Sequence, residues 1–441
     1  MVSASITGKF NRQPAIYKLA GYLFVLLLPF SVFWPLSKPV ESSILPIYGS
    51  IGLYLTDIGA VMLVVLSLVG ARNARRDTPL IPLISSRLIA FLPLLLIPLL
   101  GLITTPRAMN PGLAVYTAFR WLLALGVFFA WQGKGLNPDR LMQVFLTGLA
   151  LQAVIGILQV VFKSPLGLPG ELALTIARPR AAVLWLENEA WLRAYGLTFH
   201  PNVLGGYLTM GLILGLLDLK SWMGRIIWWL TVAGLVLTFS RSAWLATALV
   251  LLPLAFWLYW QKPDLRKPLL ITLGAAAGAG LISSAALLEP VLSRLDIFSS
   301  MSEYTSLSGR GELMALALQT IRQHPLTGIG AGNFPLLALS AKVHDAAHSV
   351  HHVPLLLAAE IGAVGAVLWY WLWLAPVLTL GKSLRAIEPR IVVMASAWLA
   401  LGLISLWDSY PWSLDAGRLL SVTLLAWIYR QNNVSLLSKA L

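Results

Sequence analysis

Residues 141–161 read LMQVFLTGLALQAVIGILQVV, an uncharged apolar run long enough to cross a bilayer as a helix. Similar runs lie at 16–36, 50–70, 80–104, 113–131, 203–219, 223–239, 243–260, 269–288, 353–378, 391–407 and 412–429. With 58% hydrophobic and only 11% charged residues, the composition excludes a soluble globule. The sequence therefore predicts an all-α, polytopic membrane protein with about twelve transmembrane helices.

Positive charge is distributed unevenly between the two sides of these spans. With the N-terminus inside, more than half of the 32 Lys and Arg residues lie on cytoplasmic pieces, as the positive-inside bias requires. Both termini are therefore predicted to lie inside. The net charge of +14 follows from this topology and does not indicate a nucleic-acid partner. Short outer loops keep only Lys38, Arg107 and Arg241.

The chain is predicted to form a single membrane domain, 1–441, with two extracytoplasmic insertions. The first covers 163–199, and the second is the large loop 289–352 between spans nine and ten. We expect a helix there from Arg310 to Gln323, capped by Ser308. The sequence has no cysteine, which excludes disulfides, thiol catalysis and thiolate metal sites.

Two arginines are candidates for holding an anion. Arg241 lies in a turn so tight that spans seven and eight nearly fuse, and a guanidinium at that surface is suited to bidentate phosphate binding. Arg310 is predicted to begin the loop helix, where the helix N-terminus adds positive potential. The alternatives are a headgroup contact for Arg241 and a salt bridge to Glu312 for Arg310.

A group of histidines precedes span ten: His344, His348, His351 and His352. A neutral imidazole at the mouth of a membrane cavity is able to accept a proton from a sugar hydroxyl. The spacing of His344, His348 and His352 also fits a metal site on one helical face. Pro354 argues against that reading, because the residue before a proline disfavours a continuous helix.

Charged residues also occur inside the predicted spans. Asp57, Arg120, Glu360 and Arg418 each lie about seven residues, or roughly 10 Å, inside the outer boundary. Because a charge in the membrane needs a partner or a wet cavity, their common depth predicts a polar cavity open to the outer leaflet.

Several stretches resemble the O-antigen ligase and O-antigen polymerase superfamily. They are Arg193-Ala-Tyr-Gly-Leu-Thr-Phe-His-Pro-Asn202, Leu237-Thr-Phe-Ser-Arg-Ser-Ala-Trp244, Gly309-Arg-Gly-Glu-Leu313 and His351-His-Val-Pro-Leu-Leu-Leu-Ala-Ala-Glu-Ile-Gly362. The resemblance covers about residues 190–370, and it is carried by the order and outer placement of the motifs.

The resemblance implies roles for particular residues. In such ligases two arginines grip the donor diphosphate and a histidine acts as the acceptor base, which implies Arg241, Arg310 and His351 here. The family usually has asparagine where this chain has His352, so His348 and His352 remain alternatives for the base. The residues expected at the substrate are Arg193, Asn202, His348, His352, Glu360 and Arg120.

The implied function is transfer of a glycan from an undecaprenyl-diphosphate-type lipid to an acceptor hydroxyl. It would occur at the extracytoplasmic face of a bacterial plasma (inner) membrane, without nucleotide, cofactor or metal. The expected partners are the lipid-linked donor, a lipid or glycan acceptor and membrane lipids. A ligase is slightly favoured; the alternatives are a polymerase using the same donor and a bicarbonate-like anion transporter, which the one-sided charge disfavours.

Overall fold

A computed structural model shows a helical bundle and describes residues 15–40, 46–74, 88–133, 136–172, 182–186, 190–295, 301–343, 349–380 and 388–440. The first half contains α1 (Ala15–Leu27), α2 (Pro46–Gly49), α3 (Leu55–Ala74), α4 (Leu88–Thr104), α5 (Pro111–Trp131) and α6 (Pro138–Phe162). The second half contains α7 (Pro201–Gly215), α8 (Trp222–Leu237), α9 (Arg241–Gln261), α10 (Pro263–Leu295), α11 (Met301–Gln323), α12 (Phe334–Ser340), α13 (Val353–Ile361), α14 (Ala363–Leu380), α15 (Pro389–Ser405), α16 (Tyr410–Ser413) and α17 (Asp415–Ala440).

Two short antiparallel hairpins accompany the helices. In the first, β1 (Phe33–Pro35) pairs with β2 (Gly52–Tyr54). In the second, β3 (Val183–Trp185) pairs with β4 (Ala190–Leu192). The second hairpin leads directly into the segment that precedes α7.

Helix α7 is the centre of the bundle. Every one of its residues is buried, and it packs against α6, α8, α9 and α15. A helix that is apolar on all sides requires such surroundings. It begins at Pro201, and the His200 side chain accepts a hydrogen bond from the Asn202 amide as its N-cap.

The helical membrane class is confirmed. Within the described ranges, four helices are long and apolar enough to cross a membrane: Pro111–Trp131, Pro138–Phe162, Arg241–Gln261 and Pro263–Ile282. Shorter apolar helices cover Ala15–Leu27, Leu55–Gly70, Leu92–Arg107, Trp222–Leu237, Ala363–Pro376 and Pro389–Ser405. Twelve spans with both termini inside remain a prediction.

Two of the predicted spans differ from the structure. The first was expected to reach residue 36 but ends at Leu27, because residues 33–35 pair with β2. Span ten was expected to be continuous but breaks at Gly362, which has φ 84°. A side chain at Gly362 would meet the Leu326 carbonyl, so the break requires glycine.

The helix of the large loop is longer than expected. It begins at Met301, and not near Arg310 with a Ser308 cap, so both residues lie within the helix. The prediction that Arg310 sits at a helix N-terminus is therefore wrong. Leu313 and Ala317 of this helix are fully buried, and the helix packs on α13.

Candidate active site

The first two motifs meet where α7 begins. Arg193, just after β4, donates from Nε to the Thr238 carbonyl at 2.7 Å. Its Nη2 donates to the Asn202 amide oxygen at 2.8 Å. Arg193 is only 7% exposed, and both hydrogen bonds go to neutral acceptors. This arginine therefore fastens the α8–α9 turn to the start of α7.

The turn between α8 and α9 presents Arg241. It spans only Thr238 to Ser240, and Phe239 adopts φ 47° while its side chain is fully buried. The Thr238 hydroxyl donates to the Leu235 carbonyl at 2.6 Å and accepts from the Ser240 amide at 3.3 Å. These contacts fix Arg241 as the first residue of α9, half-buried at the bundle end where α7 begins.

A third arginine reaches the same turn from the end of α10. Arg294 donates from Nε to the Phe239 carbonyl at 3.1 Å. Burial lowers the pKa of Arg294, and the charges of Arg193, Arg241 and Arg310 lower it further. The guanidinium stays protonated at neutral pH, because its ordinary pKa exceeds 12. Sequence reasoning did not single out Arg294.

Together, Arg193, Arg241, Arg294 and Arg310 form what we call the arginine cluster. Burial lowers the pKa of Arg193 to about 10, and the charges of Arg310 and Arg241 contribute to the shift. Like charges held this close repel one another, and a bound anion would relieve that repulsion. The positive potential needed for an anion site thus comes from four side chains, and not from a helix end at Arg310.

His351 lies beside a buried carboxylate at the same bundle end. Its Nδ1 is 3.7 Å from Oδ1 of Asp408, longer than a hydrogen bond but close enough for a strong electrostatic contact. Burial would raise the pKa of Asp408, but His351, His200 and Arg310 outweigh it and lower the pKa to about 2. Asp408 is therefore ionised at neutral pH and favours a defined orientation of the imidazole.

Asn202 connects this pair to the arginine cluster. Its amide nitrogen donates to Oδ2 of Asp408 at 2.7 Å, while its amide oxygen accepts from Arg193. A buried chain of contacts thus runs from Arg193 through Asn202 and Asp408 to His351. The sequence brought Arg193, Asn202, Arg241, Arg310 and His351 forward separately; the structure places them at one bundle end.

The other candidate bases differ in their surroundings. His352 is the N-cap of α13, and its Nδ1 accepts from the Leu355 amide at 3.2 Å. Burial lowers the pKa of His352, and the capping bond occupies one of its ring nitrogens. His348, like His344, lies outside the described residues. The choice among these histidines remains a prediction, with the contact to Asp408 favouring His351.

Glu360 holds a glycine-rich loop. Its Oε2 accepts from the Gly332 amide and from Trp412 Nε1, each at 2.8 Å. Its Oε1 accepts from the Phe334 amide at 3.2 Å. The loop Gly328-x-Gly330-x-Gly332, with positive φ at all three glycines, is therefore a turn clamped to α13. The expected substrate contact of Glu360 remains a prediction beside these bonds.

Arg120 belongs to a separate group of buried charges. Its guanidinium pairs with Asp57 at 2.6 Å and with Asp415, to which Nε donates at 3.0 Å. Arg418 lies 3.7 Å from the same Asp415 carboxylate. We call Asp57, Arg120, Asp415 and Arg418 the carboxylate network. Arg418 and Glu360 also line a small cavity of about 30 Å³, room for little more than water.

Metal-ligand geometry was also considered. Among the residues that the structure describes, no group of three or more His, Asp or Glu side chains is placed to hold a metal ion. His344 and His348, two of the three residues in the spacing argument for a metal, lie outside those residues. Metal independence therefore remains a prediction.

Asp408 is a residue that sequence reasoning missed although a signal was present. It lies in the short loop between α15 and α16 and is the acid of that loop. Arg241 was singled out because a very short loop carried a single charge. The same argument applies to Asp408, but it was used only for cations.

Comparison with known families agrees with this arrangement. Residues 226–370 match a family model described as O-Antigen ligase. The matched stretch runs from α8 into α14 and contains Arg241, Arg294, Arg310 and His351, whereas Arg193, Asn202 and Asp408 lie outside it. No match was found among curated proteins.

Proposed function

We propose that this chain, a member of the O-antigen ligase superfamily, is a membrane glycosyltransferase that takes a glycan from a polyprenyl-diphosphate lipid. The acceptor is a hydroxyl group, and the reaction occurs at the extracytoplasmic face of a bacterial inner membrane. The family supports a membrane glycan ligase or polymerase; the donor, acceptor and orientation are our proposal.

One observation carries the proposal: the arginine cluster is connected to His351 through Asn202 and Asp408. A glycosyl transfer from a lipid diphosphate needs cations at the leaving group and a base at the acceptor. Both are present at one bundle end, and the contacts between them are buried. Stabilisation of charge on a leaving group is usually the largest single contribution to such a transfer.

The residues suggest the following reaction. The acceptor oxygen forms a bond to the anomeric carbon while the bond from that carbon to the phosphate oxygen breaks. The lipid diphosphate departs with the electron pair, and Arg241 and Arg310 neutralise the charge that builds on it. His351 takes the proton of the acceptor hydroxyl. Attack from the face opposite the diphosphate inverts the anomeric carbon.

Single Ala substitutions of Arg241, Arg310 and His351 test the function. Each should abolish long-chain surface glycan on a gel ladder while the protein level in the membrane stays normal. Accumulation of unligated lipid-linked polymer indicates the ligase that we favour, whereas single-repeat glycan indicates a polymerase. Normal long-chain glycan in all three variants would contradict the proposal.

We also propose that the transfer needs no metal. Purified protein should retain full transfer after EDTA treatment, because the arginine cluster supplies the positive charge at the leaving diphosphate. Loss of transfer that a divalent ion restores would refute this part. A matched sample treated with EDTA already saturated with calcium controls for effects of the chelator itself.

A further inference from the structure

Asn202 makes two hydrogen bonds of opposite sense. Its amide oxygen accepts from the Arg193 guanidinium at 2.8 Å, and its amide nitrogen donates to Asp408 at 2.7 Å. The residue is 8% exposed and begins the fully buried helix α7. An amide is suited to this position because it offers a donor and an acceptor at once. It thereby joins a cation and a carboxylate.

The bond to Asp408 fixes how that carboxylate is turned. Asn202 holds Oδ2, while Oδ1 accepts from the Ser409 amide at 3.0 Å and faces His351. The two oxygens rotate together about one bond, so holding one oxygen orients the other. Without the amide donor, the nearby Arg193 guanidinium would attract the carboxylate away from His351.

We propose that Asn202 is a positioning residue, which acts on the reaction by holding Asp408 toward His351 and not by contacting the substrate. The inference rests on the proposed function, in which His351 is the base. It also changes the expected role of Asn202 from substrate binding to orientation of the Asp408 carboxylate. A carboxylate that orients a catalytic imidazole and favours its protonated form raises the efficiency of the base.

Several other titratable groups face this pair. His200 caps α7, Arg193 follows β4, Arg310 comes from α11, Tyr410 begins α16 and His352 caps α13. Asp408 is the carboxylate among them. Turning it away from His351 therefore removes negative charge from the imidazole and leaves the surrounding cations in place. The imidazole should then lose its proton at a lower pH.

The test is a double-mutant cycle on the full-length purified protein, with lipid-linked donor and acceptor. Asn202→Ala and Asp408→Ala should each lower kcat about tenfold, the effect expected for losing a hydrogen bond to a charged group. The donor KM should change little. Both should move the acid limb of the pH profile toward lower pH. The double variant should show the tenfold loss of one substitution, and not their product, because both act through one carboxylate.

A second variant and a matched control separate this role from general damage to the fold. Asn202→Asp has nearly the same shape, keeps the acceptor for Arg193 and removes the donor to Asp408, so it should reproduce the loss of kcat. Gln159 makes similar bonds elsewhere, donating to Glu171 at 2.7 Å and accepting from the Gly196 amide at 2.8 Å. Gln159→Ala should leave the acid limb unchanged.

The outcomes distinguish this inference from the proposed function. If the unchanged protein transfers no glycan, the proposed function fails. If it transfers glycan but the two losses multiply, with a raised donor KM and an unmoved acid limb, Asn202 is a substrate contact and the positioning role is wrong. The same conclusion follows if Asn202→Asp keeps full kcat.

Discussion

The arginine cluster and the carboxylate network both bury guanidinium groups, but they balance the charge in opposite ways. Arg120 contacts the carboxylates of Asp57 and Asp415 and lies 5.0 Å from the Tyr54 ring centroid. Arg193 instead hydrogen-bonds an amide and a backbone carbonyl. Arg294 also donates to a backbone carbonyl. One region contains its own counter-charges, whereas the other combines four arginines with Asp408.

This difference separates a structural role from a binding role. A buried cation with carboxylates in contact is already compensated, so its removal leaves uncompensated acids inside the protein. Arginines that depress one another's pKa, as in the cluster, gain most from an anion that arrives from outside. We therefore expect substitutions in the network to change stability and substitutions in the cluster to change transfer.

The largest effect is expected for Arg120→Ala. It leaves Asp57 and Asp415 buried without their cation, and breaking such a pair costs about 3–5 kcal/mol. We expect little folded protein after extraction, measured by size-exclusion chromatography and by the thermal unfolding midpoint. Replacing Arg120 by Met together with Asp57→Asn and Asp415→Asn should recover much of the loss. An undiminished midpoint in Arg120→Ala would remove the distinction between the two regions.

Arg241→Ala should produce the next largest effect, on transfer alone. Loss of a group that stabilises charge in the transition state typically lowers kcat about 10²–10³-fold. The unfolding midpoint should stay level or rise, because one source of repulsion is gone. Arg322→Ala, an exposed arginine on the same helix as Arg310, serves as a control and should keep full transfer. A lowered midpoint in Arg241→Ala would make the cluster structural as well.

Arg294→Ala should lower transfer by less, about 10–100-fold, the range for losing a hydrogen bond from a charged group. Lys at this position should restore only part of the rate, since a point charge does not reproduce a planar guanidinium. The measurement is transfer at saturating donor. Full activity in Arg294→Ala would limit this arginine to supporting the α8–α9 turn.

The smallest effect is a dependence of stability on pH. The folded-state pKa of Asp408 is about 2, below the ordinary value near 4, so its ionised form stabilises the fold. That contribution is present above about pH 4 and is lost as the pH falls toward 2. Thermal unfolding of the unchanged protein and of Asp408→Asn should converge on acidification. Parallel curves across this interval would show that another group is responsible.

The sequence predicted the helical class and much of the site, for physical reasons. Arg241 stood out because a short loop with a single charge is informative without knowledge of the fold. Arg294 did not, since nothing local distinguishes it from other residues near the end of a long helix; its contact with Phe239 comes from packing between distant segments. The start of the loop helix was misplaced because Ser308 followed by Gly309 imitates a helix boundary.

The break at Gly362 was unpredictable for a similar reason. A glycine in an apolar run is compatible with a continuous span, and only the approach of the Leu326 carbonyl makes its positive φ necessary. Glu360 was correctly recognised as an unusual buried acid. Its bonds to the glycine-rich loop depend on residues about thirty positions away, which no local pattern reveals.

Helix α7 touches protein on every side, and this isolates the floor of the site from the lipid around it. A bilayer of different thickness or composition would press on the outer helices and reach Asn202 only after several layers of packed side chains. Enlarging a residue of α7 would disturb all of its neighbours at once. Divergence toward new glycans is therefore expected in the loops around the opening, while this central helix stays the same.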